Sequence, residues 1–243
     1  MQSQNEYPAS ASRSFATAAI VQAFAKTARP FMRRFMSANS CIAAARTTIE
    51  TMRLYRLRAV EKPVCYVFQV PARNYARLAG FSAEERAEMK AKAGNWVDAT
   101  PDGGSWNGHL IVVVEDRWIL DPSIDQADAP QFGVSVPAEV FVADTLGQTW
   151  HPNMNFEIEL GLILDNGDAA SLLYHSISDR GYLETEAWTD EGLPLLAHAI
   201  ASEMKNAAAV SIACPKCGRV SHNANDVRER YCGNCHSFHD DAR

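Results

Sequence analysis

The pattern of apolar and polar positions predicts a β-hairpin near the middle of the chain. Its three segments are an apolar run at 110–114, a polar interruption at 115–117 and a second apolar run at 118–120. With a three-residue loop, alternation of side chains between faces places His109 and Asp121 on one face, close enough to hydrogen-bond. A two-residue loop would place them on opposite faces, and both residues could instead simply mark strand ends. The predicted His109–Asp121 pair therefore depends on the register.

Helical and extended patterns flank this hairpin. Apolar residues at helical spacing predict a helix from Ser14, interrupted or kinked at Pro30, and a second helix from Cys41 to about Leu57. A nearly continuous apolar run at 63–71 predicts a strand covered on both faces, with Cys65 in the core. The remaining predicted elements are a helix at 74–93, an edge strand at 134–142, a loop at 145–155, a hairpin of 156–164 with 170–176, and a helix at 191–205.

Length and composition limit the class of protein. The 243 residues, 47% of them hydrophobic, suffice for one sizeable domain and a small module. We expect a disordered start at 1–13, a main domain at 14–206, a linker at 207–213 and a module at 214–243. The net charge of −6 argues against nucleic acid or an anionic membrane as a partner of the whole chain. No apolar run is long enough to span a bilayer, so a cytoplasmic protein is expected. The absence of acidic residues between Glu6 and Glu50 would also suit an organellar transit peptide.

Four of the six cysteines form two Cys-x-x-Cys knuckles near the C-terminus, namely Cys214, Cys217, Cys232 and Cys235. Four thiolates at this spacing match a closed tetrahedral site, and structural Zn²⁺ is the cofactor that fits it best. Paired disulfides or a redox dithiol are the alternatives. The other two cysteines, Cys41 and Cys65, are isolated thiols, which agrees with a reducing compartment.

Cys41 lies in the first turn of a predicted helix, after the good N-cap residues Asn39 and Ser40. Unpaired backbone N–H groups and the helix dipole favour a thiolate there, and a thiolate is the nucleophilic form of cysteine. A small buried core cysteine is the alternative interpretation. In chain order, Cys41, His109 and Asp121 have the arrangement of a thiol triad, in which His109 takes the proton from Cys41 and Asp121 orients the imidazole.

The motif Asn39-Ser40-Cys41 and the run from His109 through Trp118 to Asp121-Pro122-Ser123 resemble the transglutaminase-like branch of the papain-like cysteine enzymes. This resemblance covers about residues 37–125. The chain is also distantly similar to arylamine N-acetyltransferases, which use the same residue order. The turn at 115–117 lacks the glycine usual in this branch, and Ile111 stands where an aromatic residue is often found.

The resemblance implies an α+β fold with a papain/transglutaminase-like core, in which the nucleophile helix packs on an antiparallel sheet. It also implies Cys41 as nucleophile, His109 as general base and acid, and Asp121 as its orienter. The expected chemistry passes through a thioester acyl-enzyme, as in a peptidase, amidase, transglutaminase or acyltransferase. The expected substrate is a protein, a peptide or a small amide or acyl compound, with water or an amine as acceptor.

The C-terminal module resembles a rubredoxin-type zinc ribbon, with glycines after the second and third cysteines. Its net charge is only +1, which argues against phosphate binding and favours docking onto a protein partner or the main domain. Two alternatives to an enzyme stay open. The first is a non-catalytic binding or adaptor protein on a degenerate version of the fold, with the ribbon as interaction module. The second, which the charge disfavours, is a zinc-ribbon nucleic-acid-binding protein.

Overall fold

The computed structural model describes residues 9–36, 40–91, 95–98, 106–145, 156–184, 192–209, 212–221, 226 and 229–238. Its helices are α1 (Ala9–Phe35), α2 (Cys41–Leu54), α3 (Ala83–Lys90) and α4 (Gly192–Ala209). The strands of its large sheet are β1 (Ala59–Val70), β2 (Tyr75–Ala79), β3 (Asn95–Asp98), β4 (His109–Val114), β5 (Trp118–Asp121), β6 (Phe141–Asp144), β7 (Glu157–Ile163) and β8 (Ala169–Ser176). The C-terminal module contains β9 (Ile212–Ala213), β10 (Val220–Ser221), β11 (Tyr231–Cys232) and β12 (Ser237–Phe238).

The long strand β1 organises the sheet. Its first half pairs with β4, and its second half pairs with both β2 and β8. The path β3-β2-β1-β4-β5-β6 is antiparallel except for the β2–β3 pair, and the β7–β8 hairpin joins it through β1. The chain therefore has an α+β fold built on a mostly antiparallel sheet.

Two hydrophobic cores form because β-strand side chains alternate between faces. Leu110 and Val112 pack in a cluster with residues of α1, α2 and α4, whereas Ile111 and Ile119 pack in a second cluster with Tyr66. All six residues of β4 are buried, and residues 62–68 of β1 are buried as well. The prediction of an apolar strand covered on both faces is therefore confirmed for β1. The packing of α2 against β4 brings the start of the helix toward the start of the strand.

The central hairpin has the three-residue turn. Val114 pairs with Trp118 and Val112 with Leu120, which is the register that the His109–Asp121 prediction requires. Glu115 and Asp116 both have left-handed backbone conformations, with φ of 50° and 52°, at the place where glycine would be free of strain. Arg58 supports this turn, since its guanidinium pairs with Asp116 and its backbone N–H donates to Glu115 Oε1 at 2.7 Å.

The predicted helix at 74–93 is wrong over its first half. Tyr75–Ala79 is strand β2, buried between β1 and β3, and only Ala83–Lys90 is helical. Gly80, with φ of +88°, separates the two elements. Ser82 then starts α3 with a capping box, because its side chain accepts from the Glu85 N–H while Glu85 accepts from the Ser82 N–H. Sheet pairing has overridden the local helical pattern before this cap.

Other boundaries differ from their predictions by a few residues. Helix α1 begins at Ala9, five residues before the predicted start at Ser14, and continues through Pro30. The edge strand predicted at 134–142 is instead Phe141–Asp144, because Pro137 cannot donate to a ladder and Val134 forms only a bridge with Ala129. Helix α4 ends at Ala209, inside the predicted linker, and the linker's last two residues form β9.

The second predicted hairpin is confirmed as β7 and β8, joined by a turn with Gly167 at φ of +87°. Most of the predicted loop at 145–155 lies outside the described residues. The domain boundaries themselves stay predictions. No helix in the described part of the chain combines the length and apolar character needed to cross a bilayer.

Candidate active site and metal centre

Cys41 is the first residue of α2, as predicted, and is 9% exposed. Ser40 occupies the N-cap position without capping the helix through its side chain, and Asn39 lies outside the described residues. The sulfur is therefore close to backbone N–H groups of the first turn, which have no partner within the helix. This end of α2 also carries the positive end of the helix dipole.

His109 and Asp121 form the predicted pair. His109 Nε2 lies 2.8 Å from Asp121 Oδ2, and the two residues are 2% and 0% exposed. The backbone N–H of Ser123 donates to the other carboxylate oxygen at 2.9 Å. Hydrogen bonds to both carboxylate oxygens therefore fix Asp121, and Asp121 in turn fixes the position of the imidazole.

Cys41 lies beside the His109 ring, where its side chain acts to raise the pKa of the imidazole. Because Nε2 faces Asp121, the ring nitrogen that remains for the thiol is Nδ1. The structure therefore brings together all three residues that the sequence analysis selected for the triad, in the chain Cys41, His109, Asp121. This is an arrangement in which a proton can move between sulfur and imidazole while the carboxylate stabilises the imidazolium.

The electrostatics favour a charged histidine. Burial lowers the pKa of His109, but the Asp121 carboxylate and its hydrogen bond, together with Cys41, outweigh burial and raise that pKa to about 10. Burial also acts to raise the pKa of Asp121, yet the His109 charge and the hydrogen bonds to the carboxylate bring it below its usual value. Asp121 and His109 are therefore an ion pair at neutral pH.

Two buried tyrosines surround this pair and were missed from the sequence. Tyr174 donates its hydroxyl to Asp121 Oδ2 at 2.6 Å, and the Tyr66 ring lies edge-on to the His109 ring at 4.9 Å between centroids. Burial and the Asp121 charge raise the pKa of Tyr174 well above its usual value, so it stays a donor. Tyr66 and Tyr174 face each other across β1 and β8. Only that long-range pairing reveals them, and no local sequence signal does.

We expect Tyr174→Phe to lower the free energy of unfolding by about 1.5–3 kcal/mol, the usual worth of a hydrogen bond to a charged group. Urea unfolding at neutral pH measures this loss. Tyr66→Phe is the control and should cost less, because Tyr66 is similarly buried but its hydroxyl accepts only one long bond, from Arg77 at 3.3 Å, and does not bond to Asp121. Equal effects of the two substitutions would contradict a specific role for the Tyr174–Asp121 bond.

Trp106 packs closely over Gly108, the residue before His109. A Cβ atom on Gly108 would lie 2.1 Å from the Trp106 ring, so only glycine fits beneath it. The indole also packs against the Tyr182 ring, with 5.2 Å between centroids. Trp106 Nε1 is buried and has no hydrogen-bond partner among the described residues.

Cys65 has a different environment from Cys41. It lies in β1, 4% exposed, and its thiol donates to the His175 carbonyl at 3.5 Å. Burial raises the pKa of Cys65 to about 11, and the charges of Glu85 and Glu157 act in the same direction. Cys65 is therefore a core thiol held in its neutral form, as the sequence predicted for its place in the core.

The four C-terminal cysteines come together. Their sulfur atoms all lie within 4.8 Å of one another, with 3.7 Å between Cys214 and Cys235 and 3.8 Å between Cys217 and Cys232. Four sulfurs at about 2.3 Å from a tetrahedral zinc ion would be ~3.8 Å apart. All four are free cysteines in the structure, with no disulfide between them. The donor set and its spacing fit Zn²⁺.

Proton sharing within this cluster shows why a cation suits it. Hydrogen bonds from the Arg219 backbone and from neighbouring thiols lower the pKa of Cys217 to about 6, and the bond to Cys217 raises the pKa of Cys235 to about 12. A metal ion would replace the shared protons and hold the sulfurs as thiolates. Histidine can also bind zinc, and the module has three histidines. His236 is exposed and lies 3.1 Å from the Tyr231 hydroxyl, whereas His222 and His239 lie outside the described residues.

Comparisons with protein-family models, with curated proteins and with solved structures gave no match.

Proposed function

We propose that this protein is a cysteine-nucleophile acyl-transfer enzyme of transglutaminase-like type, acting on an amide or related acyl bond. The observation that carries the proposal is the placing of Cys41, at the N-terminus of a helix, beside a buried His109 that is hydrogen-bonded to Asp121. The resemblance of the motifs around these residues supports the same chemistry.

In the first step, the Cys41 sulfur attacks the carbonyl carbon of the donor. A carbon–sulfur bond forms, and the carbonyl π electrons move to the oxygen. When the tetrahedral intermediate collapses, the His109 imidazolium protonates the leaving amine, the carbon–nitrogen bond breaks and a thioester remains on Cys41. Asp121 holds the ring in place and stabilises its charged form.

In the second step, water or an amine attacks the thioester while His109 accepts its proton. The carbon–sulfur bond then breaks, and the thiolate leaves with the imidazolium beside it. The backbone N–H of Cys41 at the start of α2 is one donor to the oxyanion. The unpartnered indole N–H of Trp106, three residues before His109 in the chain, is the candidate for a second donor.

Alkylation by iodoacetamide tests the nucleophile without requiring a known substrate. Beside a charged His109, Cys41 should react readily at neutral pH, at least about tenfold faster than Cys65, whose pKa burial raises to about 11. Peptide mass spectrometry of the zinc-loaded protein, quenched at successive times, gives both rates. Replacing His109 with Gln should slow Cys41 by about tenfold or more, because the neighbouring positive charge is removed.

The matched control is Cys65→Ser, which should leave the rate at Cys41 unchanged. Equally slow alkylation of Cys41 and Cys65 in the intact protein would contradict the enzyme and favour a non-catalytic binding protein. A Cys41 alkylation rate that is the same in the intact protein and in His109→Gln would also contradict the enzyme.

For the C-terminal module, we propose a structural zinc ion held by Cys214, Cys217, Cys232 and Cys235. Four thiolates leave no open coordination position, so the ion supplies fold stability and takes no part in acyl transfer. The module's proposed role is docking onto a protein partner.

A further inference from the structure

A cleft of about 730 Å³ lies between α2, the start of β1 and residues 177–182. Helix α2 contributes residues from one of its faces, at positions 46, 49, 50 and 53, which recur every three or four residues. Apolar side chains form part of its lining, namely Ile49, Val60, Ile177 and Leu193. This space, called the α2 cleft below, does not include Cys41, His109 or Asp121.

The α2 cleft borders the candidate active site through two aromatic residues. Tyr182 lines the cleft and packs against Trp106, and both belong to the core cluster that contains Cys41. The helix that forms one wall of the cleft begins at Cys41. Since α2 rises about 1.5 Å per residue, Arg46 stands only ~7.5 Å along the helix axis from the proposed nucleophile.

The charges in the α2 cleft are unlike those of the whole chain. Of the residues that line the cleft, four are basic and two are acidic: Arg46, Arg53, Lys62, Arg180, Glu50 and Glu61. The excess of two positive charges contrasts with a net charge of −6 for the protein.

Both acidic residues of the α2 cleft already have partners inside the protein. Glu50 accepts from Arg53 at 2.6 Å, and Glu61 shares a hydrogen bond with the Tyr182 hydroxyl, which also bonds to Arg180. These bonds reduce the repulsion that a ligand carboxylate would meet. Arg53 and Arg180 are exposed, so a ligand in the cleft can reach their guanidinium groups.

We propose that the α2 cleft binds an acidic peptide segment, and that this segment belongs to the acyl donor. An apolar lining with arginines accommodates alternating apolar and carboxylate side chains, and the volume suffices for a short peptide. The location next to Tyr182 and Trp106 would bring the adjoining amide bond toward Cys41. The donor role rests on the proposed function, whereas binding of the peptide does not.

Fluorescence anisotropy tests the binding with a labelled peptide of alternating Glu and Leu. The host is the full zinc-loaded chain carrying Cys41→Ala, so that no chemistry intervenes. The acidic peptide should bind, and its affinity should fall as the salt concentration is raised. It should also bind more tightly than matched Gln/Leu and Lys/Leu peptides. The double variant Arg53→Gln with Arg180→Gln should weaken its binding by about tenfold.

The matched control is Arg34→Gln with Lys90→Gln, which removes two exposed positive charges outside the α2 cleft and should leave binding unchanged. Absence of binding, equal binding of the Lys/Leu peptide, or equal losses in both double variants would overturn the proposal. Preferential binding of single-stranded oligothymidylate would also overturn it, in favour of phosphate recognition.

The donor role is tested separately, in the chain that retains Cys41. Saturating acidic peptide should slow the alkylation of Cys41 at least about threefold while leaving the rate at Cys65 unchanged, since a ligand beside the nucleophile hinders access. If the peptide binds but gives no protection, the donor role is overturned. If Cys41 is alkylated slowly even without peptide, it is the proposed enzyme function that is contradicted.

Discussion

Replacing Asp121 with alanine should lower the free energy of unfolding by about 3–5 kcal/mol, the usual cost of removing one partner from a buried ion pair. Asp121 is fully buried and accepts hydrogen bonds from His109, from the Tyr174 hydroxyl and from the Ser123 backbone N–H. The substitution leaves these donors without an acceptor in a buried site. Urea unfolding at pH 7 measures the loss, and the alkylation rate of Cys41 should fall with it because His109 loses its charge.

Asp121→Asn separates the effect of charge from that of shape, since the amide keeps an oxygen that can accept hydrogen bonds. We expect Asp121→Asn to lower the free energy of unfolding less than Asp121→Ala does. Without the carboxylate charge, however, His109 should no longer be charged at neutral pH. Ring-proton NMR of His109 should show a pKa near 10 in the wild-type protein and a clearly lower pKa in the variant. A wild-type His109 that titrates near 6.5 would contradict the buried ion pair.

The same pair determines how stability depends on pH. The folded pKa of His109 is raised above that of the unfolded chain, so its contribution is complete below about 6.5 and declines as the pH rises toward 10. The folded pKa of Asp121 is lowered, so its contribution is present above about 4 and is lost at lower pH. Replacing Asp121 with Asn should therefore flatten the alkaline decline in unfolding free energy.

The His109–Asp121 pair could be predicted because it depends on local information alone. Residues of one hairpin are close in the sequence, and a polar three-residue interruption was enough to propose the register that places both side chains on one face. The contact with Cys41 is different, since the rest of α2 and the elements β1, β2, α3 and β3 separate that residue from His109 in the sequence. Helix-terminus chemistry and a motif resemblance selected Cys41, and only the packing of α2 on β4 brings it to the imidazole.

What the sequence could not reveal depends on strand order. Tyr174 reaches Asp121 because β8 pairs with β1 beside Tyr66, a long-range choice that no local pattern records. The same limit explains the error at Tyr75–Ala79, where a helical pattern yields to pairing with β1 and β3. The Ser82–Glu85 capping box was readable in the sequence and would have placed the start of α3 correctly.

Removing the metal should unfold the C-terminal module while the main domain keeps its structure. The strands β9 to β12 have two residues each, too few to fold without a metal or another cross-link. Zinc binding to such sites has an apparent free energy of about 10–16 kcal/mol, which is then the folding energy of the module. The protein should contain about one zinc per chain, and Cys232→Ser should release it.

The matched substitution is Cys65→Ser, which removes a buried thiol from the sheet and should leave the zinc content unchanged. Amide hydrogen exchange over the described parts of 212–238 should become fast in Cys232→Ser, while residues 109–121 stay protected. Because the module's buried residues include two of its own ligands, Cys214 and Cys232, little apolar surface remains to hold it without the ion. If these amides stayed protected in the metal-free protein, the module would fold by packing alone, and the zinc site would be refuted.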